Sequence, residues 1–224
     1  MKKQIITTAD GSKTIHFPEW NESYHSKHGA IQEAQHVYIK SGLDFRLKQD
    51  DTSSLKVLEF GFGTGLNAYL SAIYAEANQL YLTYHSIEKY PLNQKEIDSV
   101  NYVEILKTNN SEFDSLHSIE WEKSININDY LKLKKIQADF KNFEGQNKYD
   151  VIFFDAFGPR VQPELWGKSL LQKCFSLLAS NGVWVTYSCK GSVRRDLQDI
   201  GFQVKKIDGP PGKREMLRAI KKSV

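Results

Sequence analysis

Cysteine is scarce in this sequence. Cys174 and Cys189 are the only two in 224 residues and have no CxxC spacing. That excludes a disulfide scaffold and a cysteine-built zinc or redox centre, and leaves two free or buried thiols in a reducing cytosol as the expected state. Long apolar runs are missing too, so no bilayer-spanning segment is expected. The opening Met1-Lys2-Lys3-Gln4-Ile5-Ile6-Thr7-Thr8 lacks the sustained apolar stretch of a secretory signal. A cytoplasmic protein with no membrane partner follows as the expectation. Neither sign of charge dominates: 30 Lys and Arg against 27 Asp and Glu give +3, which permits a polyanionic partner without requiring one. There is no internal repeat and no low-complexity tract. His25, His28 and His36 lie near one another in sequence, but no Cys or carboxylate pair joins them at ligand spacing, so no metal is expected. What is present, 40% hydrophobic and 25% charged residues, suits one globular domain able to bury its own core.

The chain is organised around Leu55-Lys56-Val57-Leu58-Glu59-Phe60-Gly61-Phe62-Gly63-Thr64-Gly65-Leu66-Asn67. An apolar strand, Leu55 to Phe60, runs into three alternating glycines and then into an apolar helix, Leu66 to Ala77. Glycine lets the backbone turn sharply and approach a ligand, and the free amides of a helix start favour polar or anionic groups. In this context Glu59, Gly61, Phe62, Gly63, Thr64, Gly65 and Asn67 are candidate cofactor contacts. A dinucleotide fingerprint needs a third glycine at position 66, for helix packing. This chain has Leu66, which argues against NAD and for S-adenosylmethionine, a cofactor without a pyrophosphate. The next strand, Leu80 to Ile87, ends in Glu88-Lys89. A carboxylate about 20 residues beyond the glycines suits the ribose hydroxyls of an adenosyl group.

Around this core the pattern alternates. Ile5–Thr8 and Lys13–Phe17 read as a hairpin about Asp10-Gly11. The polar, aromatic stretch from Asn21 to Gly29 reads as an active-site lid, and Ala30–Ser41 as a helix with Gly42 as C-cap. Beyond the glycine turn, Pro91 opens a helix running to about Ser99, and Val103–His117 is helical in pieces. Ser118–Ile127 reads as a strand, Tyr130–Ala138 as a short helix capped by Asn128 or Asp129, and Phe140–Lys148 as a polar loop. Tyr149–Asp155 is a buried strand and Leu165–Leu178 an amphipathic helix. Asn181-Gly182 is a turn before a strand at Val183–Ser188, and Val193–Ile200 is a helix ended by Gly201. Phe202–Ile207 and Met216–Ile220 are too close for a helical crossover and must pair antiparallel. The expected fold class is therefore α/β, a doubly wound, mostly parallel sheet with a C-terminal antiparallel hairpin. Residues 1–53 form an N-terminal hairpin and helix extension on a 54–224 core, in one structural domain.

Ligands in such sheets bind at the carboxyl ends of the strands. Asp155 leaves its strand there, in Asp155-Ala156-Phe157-Gly158-Pro159. It can orient an amine nucleophile or accept its proton. Asn128 or Asp129 is the candidate for the exocyclic amine of an adenine. Positive charge gathers late in the chain, and Arg194, Arg195, Lys213 and Arg214 are candidates for phosphate contacts.

These motifs together resemble the methyltransferase domain of the MnmC family and its stand-alone MnmD form. Tyr24-His25-Ser26-Lys27-His28-Gly29 with Glu33 and Tyr38, Glu59 to Asn67, Ser86 to Leu92, Asp155 to Trp166, Ser192 to Gln198 and Gly212 to Leu217 carry the similarity. Ala156 and Gly158 depart from the family's usual glycine and alanine. The resemblance implies a Rossmann-like class I S-adenosylmethionine methyltransferase that acts on the wobble uridine in the anticodon loop of tRNA. There it converts 5-aminomethyl-2-thiouridine to the 5-methylaminomethyl product. It implies Asp155 as the catalytic, cofactor-proximal carboxylate. Tyr24, Phe157, Pro159 and Trp166 would lie around the extruded base, since aromatic stacking is how single-stranded bases are held. The FAD-dependent half of the bifunctional relatives has no counterpart in 224 residues, so another wobble-uridine-modifying enzyme would supply the aminomethyl substrate. Three alternatives remain at this stage: a small-molecule amine methyl- or aminopropyltransferase on the same fold, an NAD-linked oxidoreductase, and an inactive RNA-binding module.

Overall fold

The computed structural model describes residues 2–50, 52–146 and 148–222. Strands β1 (Gln4–Thr7), β2 (Lys13–Phe17) and β3 (Glu22–Ser23) form a small antiparallel sheet. Helix α1 (Ala30–Ala34) continues through a π-type stretch, Gln35–Asp44, into α2 (Phe45–Leu47). The glycine turn joins β4 (Ser54–Phe60) to α3 (Leu66–Ala77), and β5 (Tyr81–Glu88) follows. Three short helices come next, α4 (Gln94–Ile97), α5 (Tyr102–Leu106) and α6 (Asn110–Ser118). Then come β6 (Ser124–Asn126), β7 (Leu131–Gln137), β8 (Tyr149–Phe154), a 3-10 turn at Pro163–Trp166, and α7 (Lys168–Leu177). The chain closes with β9 (Leu178–Thr186), α8 (Gly191–Ile200), β10 (Gln203–Asp208) and β11 (Glu215–Ile220).

The eight-stranded sheet has the order β10-β11-β9-β8-β4-β5-β7-β6. The five strands from β9 to β7 are mutually parallel. At one edge β10 and β11 form the expected antiparallel hairpin, and β11 also runs antiparallel to β9. Central strands covered on both faces read as continuous apolar runs, and their alternate residues feed two cores. Val57, Tyr84 and Phe153 face α3 and the N-terminal helical segment, while Leu58, Phe154 and Trp184 face α7 and α8.

Five local expectations are corrected. Residues 130–138 are not a helix: Leu131, Leu133 and Lys135 are buried in alternation along β7, which pairs in parallel with the open edge of β5. The period-two pattern was hidden by lysines that suit either structure. The preceding strand shrinks to Ser124–Asn126. The helix expected from Pro91 begins at Gln94 instead, because Asn93 and Glu96 form a capping box. Asn181-Gly182 makes no chain reversal but lies inside β9, beside a register irregularity opposite Tyr149 and Val151.

The fifth is Gly42, which is buried within the helical segment rather than ending it. A Cβ there would lie 2.9 Å from Val185 Cγ1 and 3.0 Å from Phe153 Cε1, so the glycine lets the helix seat directly on β8 and β9. Alanine ordinarily gains about 1 kcal/mol over glycine within a helix. Overpacking a closed core costs about 1–3 kcal/mol, and here it wins. Gly42→Ala is expected to lower stability by about 1–2 kcal/mol in denaturant unfolding; a gain would show that the helix can lift off the sheet.

Candidate active site

The carboxyl ends of β4, β5, β7 and β8 converge on one cavity of about 820 Å³. Its floor is the glycine turn. Gly61, Gly63 and Gly65 have φ of 104°, 50° and 75°, the left-handed region that favours glycine. The Gly61 and Phe62 amides donate to the Ile87 carbonyl at 2.9 and 3.3 Å, tying the turn to the end of β5. Glu88 completes that end. Its carboxylate accepts the Gly63 amide at 3.1 Å and the Tyr90 amide at 2.8 Å, which holds it at the cavity wall. Thr64 lines the cavity and shares a hydrogen bond with Tyr102 Oη at 3.0 Å, while Phe62 lines it from a bed of His117 and Trp121.

Asp155 sits beside the turn at the end of β8, in a chain of polar contacts. Its Oδ1 accepts the Tyr38 hydroxyl at 2.6 Å and its Oδ2 accepts the Asn67 amide at 2.8 Å. The same Asn67 nitrogen donates to Glu59 Oε1 at 3.0 Å, and Ser86 Oγ donates to Glu59 Oε2 at 2.6 Å. Burial pushes the Asp155 carboxyl up to about 7, against the Tyr38 and Asn67 hydrogen bonds that hold it down. Burial likewise pushes Glu59, sealed from water, up to about 8. The neighbouring Asp155 charge adds to the burial that raises Glu59. Of the two, Asp155 reaches the cavity.

An aromatic wall closes the opposite side. Tyr24 and Phe157 stand 5.1 Å apart, and Phe17 and Trp20 pack against Phe157 at 5.5 and 5.8 Å. Arg160, past the Asp155 loop, donates to the Trp20 carbonyl at 2.8 Å and holds the 20–24 segment over the cavity.

Several expected site residues lie elsewhere. Asn128 and Asp129 precede β7 at the amino end of the sheet, close to the level of Leu82 on β5, and neither lines the cavity. Asn128 Oδ1 accepts the Tyr130 and Leu131 amides instead, serving the turn into β7. The error follows from reading β7 as a helix, which placed the strand end before Tyr130 instead of after Gln137. The carboxylate at the true carboxyl end is Asp139, which lines the cavity and pairs with Lys89 at 2.9 Å. Trp166 is buried against Phe154 and its indole N–H donates to the Phe157 carbonyl at 2.8 Å, so it buttresses the loop instead of facing a ligand. Pro159 stays in that loop outside the cavity lining, Glu59 and Gly65 lie just behind it, and Arg194 and Arg195 sit on α8 away from it. Lys213 lines the cavity, and Arg214 lines an adjoining open hollow of about 530 Å³. Tyr38, Glu33, Trp20 and Tyr187 were missed as site residues. Glu33 and Tyr38 stood in the N-terminal motif, but nothing in the sequence pointed their side chains at Asp155.

The residues present fit S-adenosylmethionine. Gly63 lines the cavity, and a Cβ there would meet the Tyr24 ring at 2.9 Å, so glycine lets that ring close down directly on the turn. Asn67 lines the cavity, and its buried Oδ1 has no hydrogen-bond partner among the described residues, an acceptor left for a ligand N–H. Glu88 and Asp139 are acidic acceptors at adjacent strand ends, suited to hydroxyls and an exocyclic amine. Among the described residues no cluster of three or more His, Cys, Asp or Glu suits a metal ion, and no helix is long and apolar enough to cross a membrane.

Strand order, glycine turn and strand-end carboxylates define a Rossmann-like class I methyltransferase using S-adenosylmethionine. Residues 100–222 match the family model described as S-adenosyl-L-methionine-dependent methyltransferase, and the chain belongs to that family. It is 28% identical over 214 residues to the tRNA 5-methylaminomethyl-2-thiouridine biosynthesis bifunctional protein MnmC of Marinomonas sp., covering 90% of this chain and 31% of that protein. Its similarity to the protein of the same description from Leptospira interrogans is 30% over 210 residues, covering 89% of this chain and 32% of the relative. The chain thus spans about a third of the length of these relatives. The crystal structure of MNMC2 from Aquifex aeolicus superposes with a TM-score of 0.78 at 29% identity, covering all of this chain and 72% of that one. Spermidine synthase from Thermotoga maritima, at 12% identity and a TM-score of 0.52, shares the fold alone.

Proposed function

We propose that the protein methylates the primary amine of 5-aminomethyl-2-thiouridine at the wobble position of tRNA. The observation that carries this reading is the cavity's charge layout. Glu33 and Asp155 lie inside, while Lys3, Lys27, Lys89 and Lys141 approach from separate segments of its lining. An acidic interior with a basic surround fits a cationic group carried on a polyanion. The names of the MnmC relatives supply the substrate class.

S-adenosylmethionine supplies an electrophilic methyl group at this site. We assign Gly61 to Gly65 and Asn67 to its methionine portion, Glu88 to the ribose, and Asp139, in place of Asn128 or Asp129, to the adenine. A free alkylamine is mostly protonated near neutrality. Asp155 receives the ammonium, orients it, and takes a proton so that the nitrogen lone pair is free. Tyr24 and Phe157 hold the base; Arg194, Arg195 and Arg214 contact phosphates further out. Residues 1–53 are the extension that closes this site over the 54–224 core. The protein would then act in the cytoplasm, on a substrate made by a separate wobble-uridine-modifying enzyme.

The test incubates purified protein with S-adenosylmethionine and tRNA carrying the unmethylated aminomethyl base, followed by nucleoside mass spectrometry. Gain of one methyl on that nucleoside supports the reading. Binding of S-adenosylmethionine without that gain would return the small-amine reading.

Tyr38 offers a second check. Its hydroxyl stabilises the ionised form of Asp155, so Tyr38→Phe raises the carboxyl's proton affinity. A hydrogen bond to a charged group is worth about 1.5–3 kcal/mol, or about one to two pH units. The acid limb of the pH–rate profile is expected to move upward by about one unit, with the alkaline plateau largely kept. An unmoved limb would separate Asp155 from the ionisation that controls the rate.

A further inference from the structure

Glu33 reaches the cavity from α1 and is only 6% exposed. Its Oε1 accepts the Ser26 amide at 2.9 Å, and its Oε2 accepts the Lys213 ammonium at 2.6 Å. Lys213 comes from the loop between β10 and β11, and the same ammonium lies 4.0 Å from the centre of the Tyr187 ring. Tyr187 in turn donates its hydroxyl to the carbonyl of Ala156, the neighbour of Asp155. A buried carboxylate and an aromatic face therefore hold a primary alkylammonium at the wall of the cavity that contains Asp155.

The acceptor proposed above carries that same chemical group. Resting on that reading, we propose that Glu33 and Tyr187 form an entry subsite that first holds the acceptor's ammonium, before it passes to Asp155 in the same cavity. Lys213 fills it in the free protein and is exchanged out when substrate enters, turning to a phosphate of the incoming RNA.

The exchange is physically reasonable because it conserves charge pairing. Stripping the cation from buried Glu33 would strand a charge, whereas replacing one ammonium by another leaves it paired. The Lys213 side chain is 33% exposed on a flexible four-carbon stem, so it can leave. It borders the open hollow that Arg214 also lines, where a phosphate would meet that further cation, Lys206 there being paired with Glu215 at 2.7 Å. Glu33 has no such freedom, since its other oxygen is tied to backbone.

The test compares two acceptors in wild type and Lys213→Met: tRNA carrying the aminomethyl base, and the free nucleoside 5-aminomethyluridine, which has no phosphate. Calorimetry measures nucleoside binding independently of turnover, with uncharged 5-hydroxymethyluridine as control. Lys213→Met should bind the aminomethyl nucleoside about three- to tenfold more tightly and leave the control unchanged. The same variant should bind tRNA about tenfold more weakly, with a smaller salt dependence. Lys213→Arg, which keeps a cation on Glu33, should not tighten nucleoside binding. Equal weakening towards both ligands, or tightening towards the control as well, would overturn the proposal. If wild type binds the nucleoside but methylates no tRNA, the function above fails while the subsite is still decided by these binding arms.

Discussion

Asp155→Asn is expected to lower the methyl-transfer rate by about 10²- to 10⁴-fold, the range typical for loss of a positioned acid or base. The replacement keeps the shape that Tyr38 and Asn67 grip, but removes the negative charge that receives an ammonium and the basicity that takes its proton. Stability should change in the opposite sense. Burial raises the Asp155 carboxyl to about 7 in the folded protein, above the ordinary carboxylate value near 4. The folded state therefore holds this proton more tightly than the unfolded chain, and the resulting stabilisation is lost as pH rises from about 4 through about 7. At about pH 8 the wild type carries an ionised carboxylate in a poor solvent, a cost that the neutral amide does not bear. Thermal unfolding near pH 8 should find the variant equally or more stable, with the advantage vanishing near pH 4. A slow enzyme that is also unstable near pH 8 would instead make Asp155 a structural residue.

The sequence made the parallel core legible because its strands are continuous apolar runs bounded by glycine. Leu66–Ala77 and the β10–β11 hairpin occur where the pattern placed them. β7 was not legible: three lysines in seven residues masked an alternation that only a neighbouring strand could use, and Lys135 is buried despite its charge, donating to the His117 carbonyl at 2.7 Å. That one misreading put the carboxyl end of the strand at Asn128 or Asp129, whereas the carboxylate that follows the strand and lines the cavity is Asp139. Gly42 shows the same limit, since its reason for being glycine is a contact with β8 and β9, far away in the chain. Gly61, Glu88 and Asp155 stand at the cavity, at strand ends that are predictable from sequence. Tyr38 was not legible, because its bond to Asp155 joins residues 117 positions apart. Glu33 and Lys213, separated by 180 positions, were visible as single charges and became a pair only in three dimensions.

Gly61→Val and Gly63→Val should each weaken S-adenosylmethionine binding by at least about 100-fold, yet differ in what they do to the fold. Both positions have left-handed φ, 104° and 50°, where a β-branched residue is strained by about 1–3 kcal/mol. Their neighbours differ. At Gly61 a Cβ would stand 2.7 Å from the Asp155 carbonyl oxygen, which is backbone fixed in the sheet. The turn must move away from β8, taking the Gly61 and Phe62 hydrogen bonds to Ile87 with it. At Gly63 the Cβ would stand 2.9 Å from the Tyr24 ring, a side chain on the 20–24 segment that can swing aside. Gly61→Val is therefore expected to lose about 3–4 kcal/mol of stability, and Gly63→Val about 1–2 kcal/mol, with the added methyls standing in the cavity. Isothermal titration with S-adenosylmethionine, beside denaturant unfolding of each variant, separates the two effects. Retained binding in a folded Gly63→Val protein would mean that the cofactor does not lie along the glycine turn. Equal destabilisation by both substitutions would mean that Tyr24 is held as rigidly as the sheet, making the aromatic wall part of the core instead of a cover that opens for substrate.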